Sequence, residues 1–219
     1  MNLLIIGLPG AGKGTQARKI CEDYNFVHLS SGDIVRESVK EEGPSGKKAE
    51  EYLLAGELVP DDIIIKMVEK RIKQKQNKNL VFDGFPRTLN QAEALTRILK
   101  DIGQKINLSI YLKVTEEELI KRISGRVICE ECGKVYNKET NPPRTAEICD
   151  ECGGSLYQRR DDEKEVVKKR IKNSKKRAEK IINYYQERDV LKTVESTDKD
   201  PDEVHLAVTE ILDKYIQKK

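Results

Sequence analysis

The chain has 219 residues, 37% of them hydrophobic and 36% charged, and its 41 Lys+Arg against 38 Asp+Glu leave a formal net charge of only +3. That length suits one compact domain carrying an insertion, or two small units, with enough chain to bury a real core. The balance of charge argues against a dedicated nucleic-acid binder, in which one sign would dominate, and no apolar run reaches the ~18 residues that a membrane span needs.

Leu3–Ile6 is a continuous apolar run that ends at Gly7, the pattern of a strand buried on both faces in a parallel sheet. The opening MNLLIIGLPG is too short and uncharged for a signal peptide, so the expected location is cytoplasmic. A Gly-rich turn leads into a helix over about 13–24, and 26–29 reads as a second short strand. Residues 31–59 look mostly helical, broken at Gly43-Pro44 and Gly56. A helix is predicted from Asp61 to about Gln76, with Ile63, Ile64, Met67, Val68 and Ile72 on one face. Leu80-Val81-Phe82 is another buried strand, ending at Asp83.

Thr88-Leu89-Asn90-Gln91 has the pattern of a capping box before a helix that ends near Gly103. Leu108–Val114 reads as a strand, and Thr115-x-x-Glu118 predicts a second capping box. Residues 127–158 change character, with four cysteines and little helical period. A charged helix is predicted over about 163–188 and a last strand over 190–194, after which Asp200-Pro201 opens the C-terminal helix. Strands alternating with helices predict an α/β fold: a parallel sheet covered on both faces, with functional residues along the C-terminal ends of its strands.

Gly7-Leu8-Pro9-Gly10-Ala11-Gly12-Lys13-Gly14-Thr15 lies between a predicted strand and helix. Such a loop curls so that backbone N–H groups face phosphate oxygens, and the helix N-terminus adds partial positive charge. Lys13 can reach the β- and γ-phosphates. The generic motif places Ser or Thr directly after the lysine; here Gly14 stands there and Thr15 follows.

Cys129-x-x-Cys132, sixteen intervening residues, then Cys149-x-x-Cys152 has the spacing of a zinc ribbon. Four thiolates fill a tetrahedral shell and leave no open position, so the site reads as structural. It would staple a segment too small to build its own core. Ligand type alone does not separate zinc from iron, and free or disulfide-paired cysteines are the alternative. Cys21 stands by itself on the first helix and reads as a core residue.

Three further segments complete a pattern: Ser30-Ser31-Gly32-Asp33-x-x-Arg36, Gly56-Glu57-Leu58-Val59-Pro60-Asp61 and Asp83-Gly84-Phe85-Pro86-Arg87. With the phosphate loop, these make the chain resemble the adenylate kinases of the long-lid type, from Met1 into the C-terminal helix. DGFPR together with GxPGxGKGT is specific to nucleoside monophosphate kinases. The resemblance implies a P-loop NTPase-like five-stranded parallel sheet with helices on both faces, a helical NMP-binding insertion and a small zinc-ribbon lid. It divides the chain into core (1–29, 60–126, 159–219), NMP-binding (30–59) and lid (127–158) segments. It implies a reversible, magnesium-dependent transfer of the γ-phosphoryl group of ATP to AMP, giving two ADP, by a monomer with zinc in its lid and no nucleic-acid or membrane partner.

Residue by residue, the resemblance gives ATP to Gly10, Ala11, Gly12, Lys13, Gly14, Thr15, Arg122 and Arg126, with Tyr136 near the ribose or base and Lys199 offering a backbone contact to the adenine. It gives AMP to Ser31, Gly32, Arg36, the backbone of Glu57, Leu58 and Val59, then Gly84, Phe85, Arg87 and Gln91. Many relatives carry Thr where Ser31 stands. Arg159 and Arg170 would contact phosphates near the point of transfer, Asp83 would hold magnesium through water, and Asp161 and Asp162 would form a lid-closing acidic pair. Gln91 has two competing readings, as reader of the AMP adenine and as third residue of the capping box. Only the family match lifts these arginines above the charged run around 159–180.

The chemistry agrees with the resemblance. In-line phosphoryl transfer needs positioning and charge neutralisation, not a covalent nucleophile. The chain has two histidines, His28 and His205, and no catalytic cysteine or serine motif, so direct transfer without a phosphoenzyme is expected. One alternative is UMP or CMP as acceptor, or GTP as donor. Another is a P-loop protein whose zinc ribbon binds nucleic acid, which the near-neutral charge and scarce aromatics (eight Tyr, three Phe, no Trp) oppose.

Overall fold

The computed structural model describes residues 1–40, 49, 51–52, 57–75, 78–159, 162 and 164–217. The helix breaks expected at Gly43-Pro44 and Gly56, and Asp161, lie outside the described residues. Five strands form the main sheet: β1 (Asn2–Ile6), β2 (Val27–Ser30), β3 (Leu80–Asp83), β4 (Leu108–Lys113) and a late strand, β8 (Leu191–Glu195). Their order is β2-β3-β1-β4-β8 and every pairing is parallel, as the alternation of strands and helices predicts.

Seven described helices connect these strands: α1 (Lys13–Tyr24), α2 (Ser31–Lys40), α3 (Asp61–Gln74), α4 (Leu89–Asp101), α5 (Glu116–Ser124), α6 (Lys164–Gln186) and α7 (Pro201–Ile216). Every residue of β1 is buried, which is why it reads as an unbroken apolar run. Alternation along the strand sends Leu4 and Ile6 to one face and Leu3 and Ile5 to the other. On the first face Leu80 and Phe82 pack with Val68 and Ile72 of α3 and with Leu95 and Leu99 of α4. On the second, Val81, Leu108 and Ile110 pack with Ala17 and Ile20 of α1, Leu119 and Ile123 of α5, and Val204, Val208 and Leu212 of α7. Helix α6 serves both cores, giving Val167 and Ile171 to the second and Ile181 and Tyr185 to the first.

Because all five strands run the same way, their C-terminal residues Ile6, Ser30, Asp83, Lys113 and Glu195 line one edge. The register sets Ile5 and Ser30 beside Asp83, and Glu195 beside Lys113. Strand β1 sits at the centre with β3 and β2 on one side and β4 and β8 on the other, so the loop after β1 opens where the chain reverses its winding.

A second, antiparallel sheet joins β5 (Arg126–Cys129), β6 (Val135–Asn137) and β7 (Leu156–Tyr157) in the order β6-β5-β7. Its core is small: Val127, Cys129, Tyr136 and Cys149, with Leu156 against them. No described helix is long and apolar enough to cross a membrane.

Capping differs in two places from what the sequence predicts. Thr115 precedes α5 but its side chain caps nothing. The Glu118 that a capping box requires is drawn away by Arg122, whose Nε donates to it at 2.7 Å. At α4, Thr88 Oγ1 accepts from the N–H of Gln91 at 3.1 Å, but the glutamine side chain reaches past Thr88 to accept from the N–H of Arg87 at 2.7 Å.

The box at α7 is complete. Asp200 accepts from the N–H groups of Asp202 and Glu203 at 2.8 and 2.9 Å, and Glu203 accepts in return from the Asp200 N–H at 2.9 Å. Asp200→Ala removes these acceptors at the start of a helix that supplies three core residues. It should cost about 1 kcal/mol in urea unfolding followed by circular dichroism.

Candidate active site

The loop after β1 turns twice through the left-handed region, at Gly10 (φ 84°) and Gly12 (φ 89°), before α1 begins at Lys13. Both positions need glycine for that reason. A Cβ at Gly10 would also sit 2.7 Å from Ile123 Cγ1, so the loop rests directly on α5. Lys13 folds back to donate from Nζ to the carbonyl of Leu8 at 3.0 Å, which preforms the curl. Burial pushes its pKa down to about 8; the nearby Asp83 carboxylate pulls it up, and Arg87, Arg170 and Arg126 push it further down.

Asp83, at the end of β3, faces this loop. Its Oδ2 lies 3.2 Å from where a Cβ on Gly14 would stand, so the Ser or Thr usual after the lysine would crowd the carboxylate. Burial alone would raise its pKa, but the hydrogen bond from His28 and the charge of Lys13 outweigh that and hold the carboxyl below its ordinary value. His28 Nε2 lies 3.2 Å from Asp83 Oδ2. The sequence singled out His28 only as one of two histidines; its approach to Asp83 depends on the pairing of β2 with β3, which no local pattern announces.

Beyond β2 and β3 lies a narrow cleft lined by Ser31, Gly32, Val35, Glu57, Leu58, Val59, Ile64, Gly84, Arg87 and Gln91. Its walls come from α2 (Ser31, Gly32, Val35), the segment 57–59 and the start of α3 (Ile64), the loop after β3 (Gly84, Arg87) and the first turn of α4 (Gln91). Of the residues expected to bind AMP, Ser31, Gly32, Glu57, Leu58, Val59, Gly84, Arg87 and Gln91 line this cleft; Arg36, Arg159 and Arg170 lie outside its lining, and Phe85 turns into the core, 2% exposed. Arg87 Nε donates to the Gly84 carbonyl at 2.6 Å, and the Ser31 hydroxyl donates to the same oxygen at 2.6 Å. Arg36 pairs with Asp33 at 2.5 Å and lies over Gly32, where a Cβ would meet its NH2 at 2.9 Å.

Of the remaining arginines, Arg122 lies on α5, Arg126 opens β5, Arg159 follows β7 and Arg170 lies on α6. Asp162, 1% exposed, accepts from Arg126 Nε at 2.8 Å and from its NH2 at 2.5 Å, and from Arg170 NH1 at 3.4 Å. Arg159 lies close enough to Asp33 of α2 to lower its carboxyl pKa. Arg122 is placed differently. Besides Glu118 it binds the carbonyls of Ser196 (2.7 Å) and Lys199 (3.2 Å), so it pins the loop from which Lys199 was expected to act.

The four cysteines converge, with their Sγ atoms all within 4.8 Å of one another. Gly133 and Gly153 turn through the left-handed region and donate N–H to the carbonyls of Cys129 (3.1 Å) and Cys149 (2.9 Å). The N–H groups that reach the sulfurs are those of Lys134 at Cys132, of Gly154 at Cys152, and of Glu151 and Cys152 at Cys149. Such donors suit thiolates, so the set fits a tetrahedral metal centre. Tyr136, expected beside the ATP ribose or base, is instead 4% exposed in this small core. Its hydroxyl accepts from the Asp150 N–H at 2.8 Å and lies 3.5 Å from Cys149 Sγ.

A larger open groove between α5 and α6 is lined by Glu116, Glu165, Lys168, Lys172, Lys175 and Lys176 among others. It shares no residue with the cleft or the phosphate loop, and its alternating surface charges give it no convergent chemistry.

The arrangement can therefore hold a nucleoside triphosphate in the loop after β1 and a monophosphate in the cleft beyond β3, with cations between them. The adenylate kinase family model matches residues 5–190. Over 216 residues the chain is 44% identical to the adenylate kinase of Methanosarcina barkeri, covering 98% of this chain and 100% of that protein. It is 46% identical over 215 residues to the adenylate kinase of Archaeoglobus fulgidus (98% and 99% covered), and 44% identical over 214 residues to that of Staphylococcus epidermidis (97% and 99% covered). With the Gly-rich loop after β1, the DGFPR segment and a match along nearly its whole length, this chain belongs to the adenylate kinase family.

Proposed function

We propose that this enzyme moves the γ-phosphoryl group of ATP directly onto AMP, reversibly and with magnesium, to give two ADP. The observation that carries this reading is the convergence of Lys13, Arg87, Arg126 and Arg170 from four separate stretches of chain onto one field of charge, with Asp83 facing the loop. Two polyanions brought nose to tail need such cations, and in-line transfer needs little else. Lys13 and the N–H groups from Gly10 to Thr15 bind the ATP phosphates; Arg36 and Arg87 clamp the AMP phosphate; Arg126, Arg159 and Arg170 lie at the point of transfer. Ser31, Gly32, Gly84 and the backbone of Glu57, Leu58 and Val59 enclose AMP, and Gln91 reads its base. Arg122 acts by fixing the loop that carries Lys199 against the ATP adenine. Bound magnesium neutralises phosphate charge, and the ionised Asp83 is the carboxylate suited to hold it through water.

In the same reading, 1–29, 60–126 and 159–219 form the core, 30–59 binds the monophosphate, and 127–158 is the lid. The lid excludes water from the transferring group. Cys129, Cys132, Cys149 and Cys152 hold a structural zinc, which four thiolates around one point favour. The enzyme works as a cytoplasmic monomer on ATP, AMP and ADP, with no nucleic-acid or membrane partner.

With ATP and magnesium, and AMP, UMP, CMP or GMP offered in turn, chromatography should show ADP forming from AMP far faster than product forms from the others. Preference for another acceptor would overturn the base assignment, and no transfer to any of them would overturn the reading.

Lys13 generates a pH prediction. With its pKa near 8 in the free enzyme, the ammonium is charged below that value and neutral above it. ATP phosphates favour the charged form, so binding above about pH 8 must take up a proton, and KM for ATP should rise as pH climbs through that value. Calorimetry in two buffers of different ionisation heat should register the uptake, and Lys13→Met should abolish it.

Removing zinc with a chelator under mild denaturant should lower the melting temperature, because a sheet with so small a core draws its folding energy from the metal. An unchanged melting temperature, with loss of metal verified by atomic absorption, would count against a structural role.

A further inference from the structure

We infer that Asp61 is a positioning residue that fixes which way round the Gln91 amide faces the monophosphate cleft, and so sets base selectivity there. The inference rests on the reading above that Gln91 contacts the base of AMP.

A primary amide is nearly symmetric in shape but not in chemistry: a half-turn exchanges an acceptor for a donor. Adenine and guanine differ in the opposite sense at the matching edge, with an amino donor at position 6 of one and a carbonyl acceptor at position 6 of the other. A glutamine free to turn over would serve either base. A glutamine locked one way serves one.

Gln91 is locked at both ends. Its Nε2 donates to Asp61 Oδ1 at 2.6 Å, and its Oε1 accepts from the backbone N–H of Arg87 at 2.7 Å. An ionised carboxylate can only accept and a backbone N–H can only donate. Turned over, the amide would set oxygen against carboxylate and NH2 against N–H, losing two hydrogen bonds and gaining two repulsions in a side chain that is 2% exposed. The locked amide keeps one N–H and one oxygen lone pair to offer, and it lines the cleft with Ser31, Val35, Ile64 and Gly84.

Asp61 is itself held. Its Oδ2 accepts from Thr88 Oγ1 at 2.7 Å and Asn90 Nδ2 at 3.0 Å. As an acidic residue in the first turn of α3 it also stands at the end of that helix whose dipole favours negative charge. Although burial acts the other way, the hydrogen bonds from Asn90, Thr88 and Gln91 keep its carboxyl below the usual range, so it remains an acceptor. It anchors Gln91 from α3 while Thr88 and Asn90 tether it to α4.

The test is Asp61→Ala, which removes the acceptor altogether; Asp61→Asn leaves a carbonyl oxygen that can still take the Gln91 N–H. Initial rates with AMP and with GMP should show KM for AMP rising about tenfold with a smaller change in kcat, and the AMP-to-GMP ratio of kcat/KM falling about tenfold. Asn90→Ala breaks a tether between Asp61 and α4 but leaves the Asp61–Gln91 bond, so a merely structural role would make both variants behave alike; the inference requires the ratio to fall only in Asp61→Ala. Gln91→Ala separates the two claims. If it lowers the ratio while Asp61→Ala does not, the role of Asp61 is wrong and the reading of Gln91 stands. If Gln91→Ala leaves the ratio unchanged, Gln91 does not read the base and both fall.

Discussion

Like charges repel, and this fold brings Lys13, Arg36, Arg87, Arg126, Arg159 and Arg170 into one electrostatic neighbourhood. Three carboxylates make that arrangement tolerable in the free protein. Asp83 faces Lys13, Asp33 holds Arg36, and the buried Asp162 takes Arg126 on two of its nitrogens and Arg170 on one. Burial is the largest cause of the depressed pKa of Lys13, with Asp83 opposing it and Arg87, Arg170 and Arg126 adding to it. Under the proposed function, the phosphates of the substrates bring the negative charge that this neighbourhood lacks, and they meet a loop whose curl Lys13 already preforms.

The scaffold that holds these groups is rigid for a simple reason. A sheet with both faces covered gives every strand end a fixed position, and the parallel direction puts all the ends on one edge. Helix α6 extends this control, since its Val167 and Ile171 sit in one core and its Ile181 and Tyr185 in the other. Arg170 projects from a rod clamped at both ends. The second sheet differs in kind: Val127, Tyr136 and Leu156 packed with the four cysteines are what its core offers.

Much of this was legible in the sequence because it is local. The run Leu3–Ile6, the glycines around Lys13, the DGFPR segment and the two cysteine pairs each carry their meaning within a few residues. The rest is set by which partner a side chain finds, near or far, and no motif announces that choice. His28 meets Asp83 through strand register. Glu118 faces Arg122 four residues on and so does not cap its helix. Tyr136 turns inward because its hydroxyl has a backbone N–H and a sulfur to satisfy it there. Gln91 had been divided between two roles; its backbone N–H serves the cap while its side chain faces the cleft, so the roles belong to different atoms.

The short gap between Gly14 and Asp83 has an evolutionary consequence. A Cβ directly after the lysine would stand 3.2 Å from the carboxylate oxygen, so the carboxylate must give by a few tenths of an ångström to admit it. Residues far apart in the chain are thereby coupled, and a side chain enters at position 14 most easily where the end of β3 shifts with it.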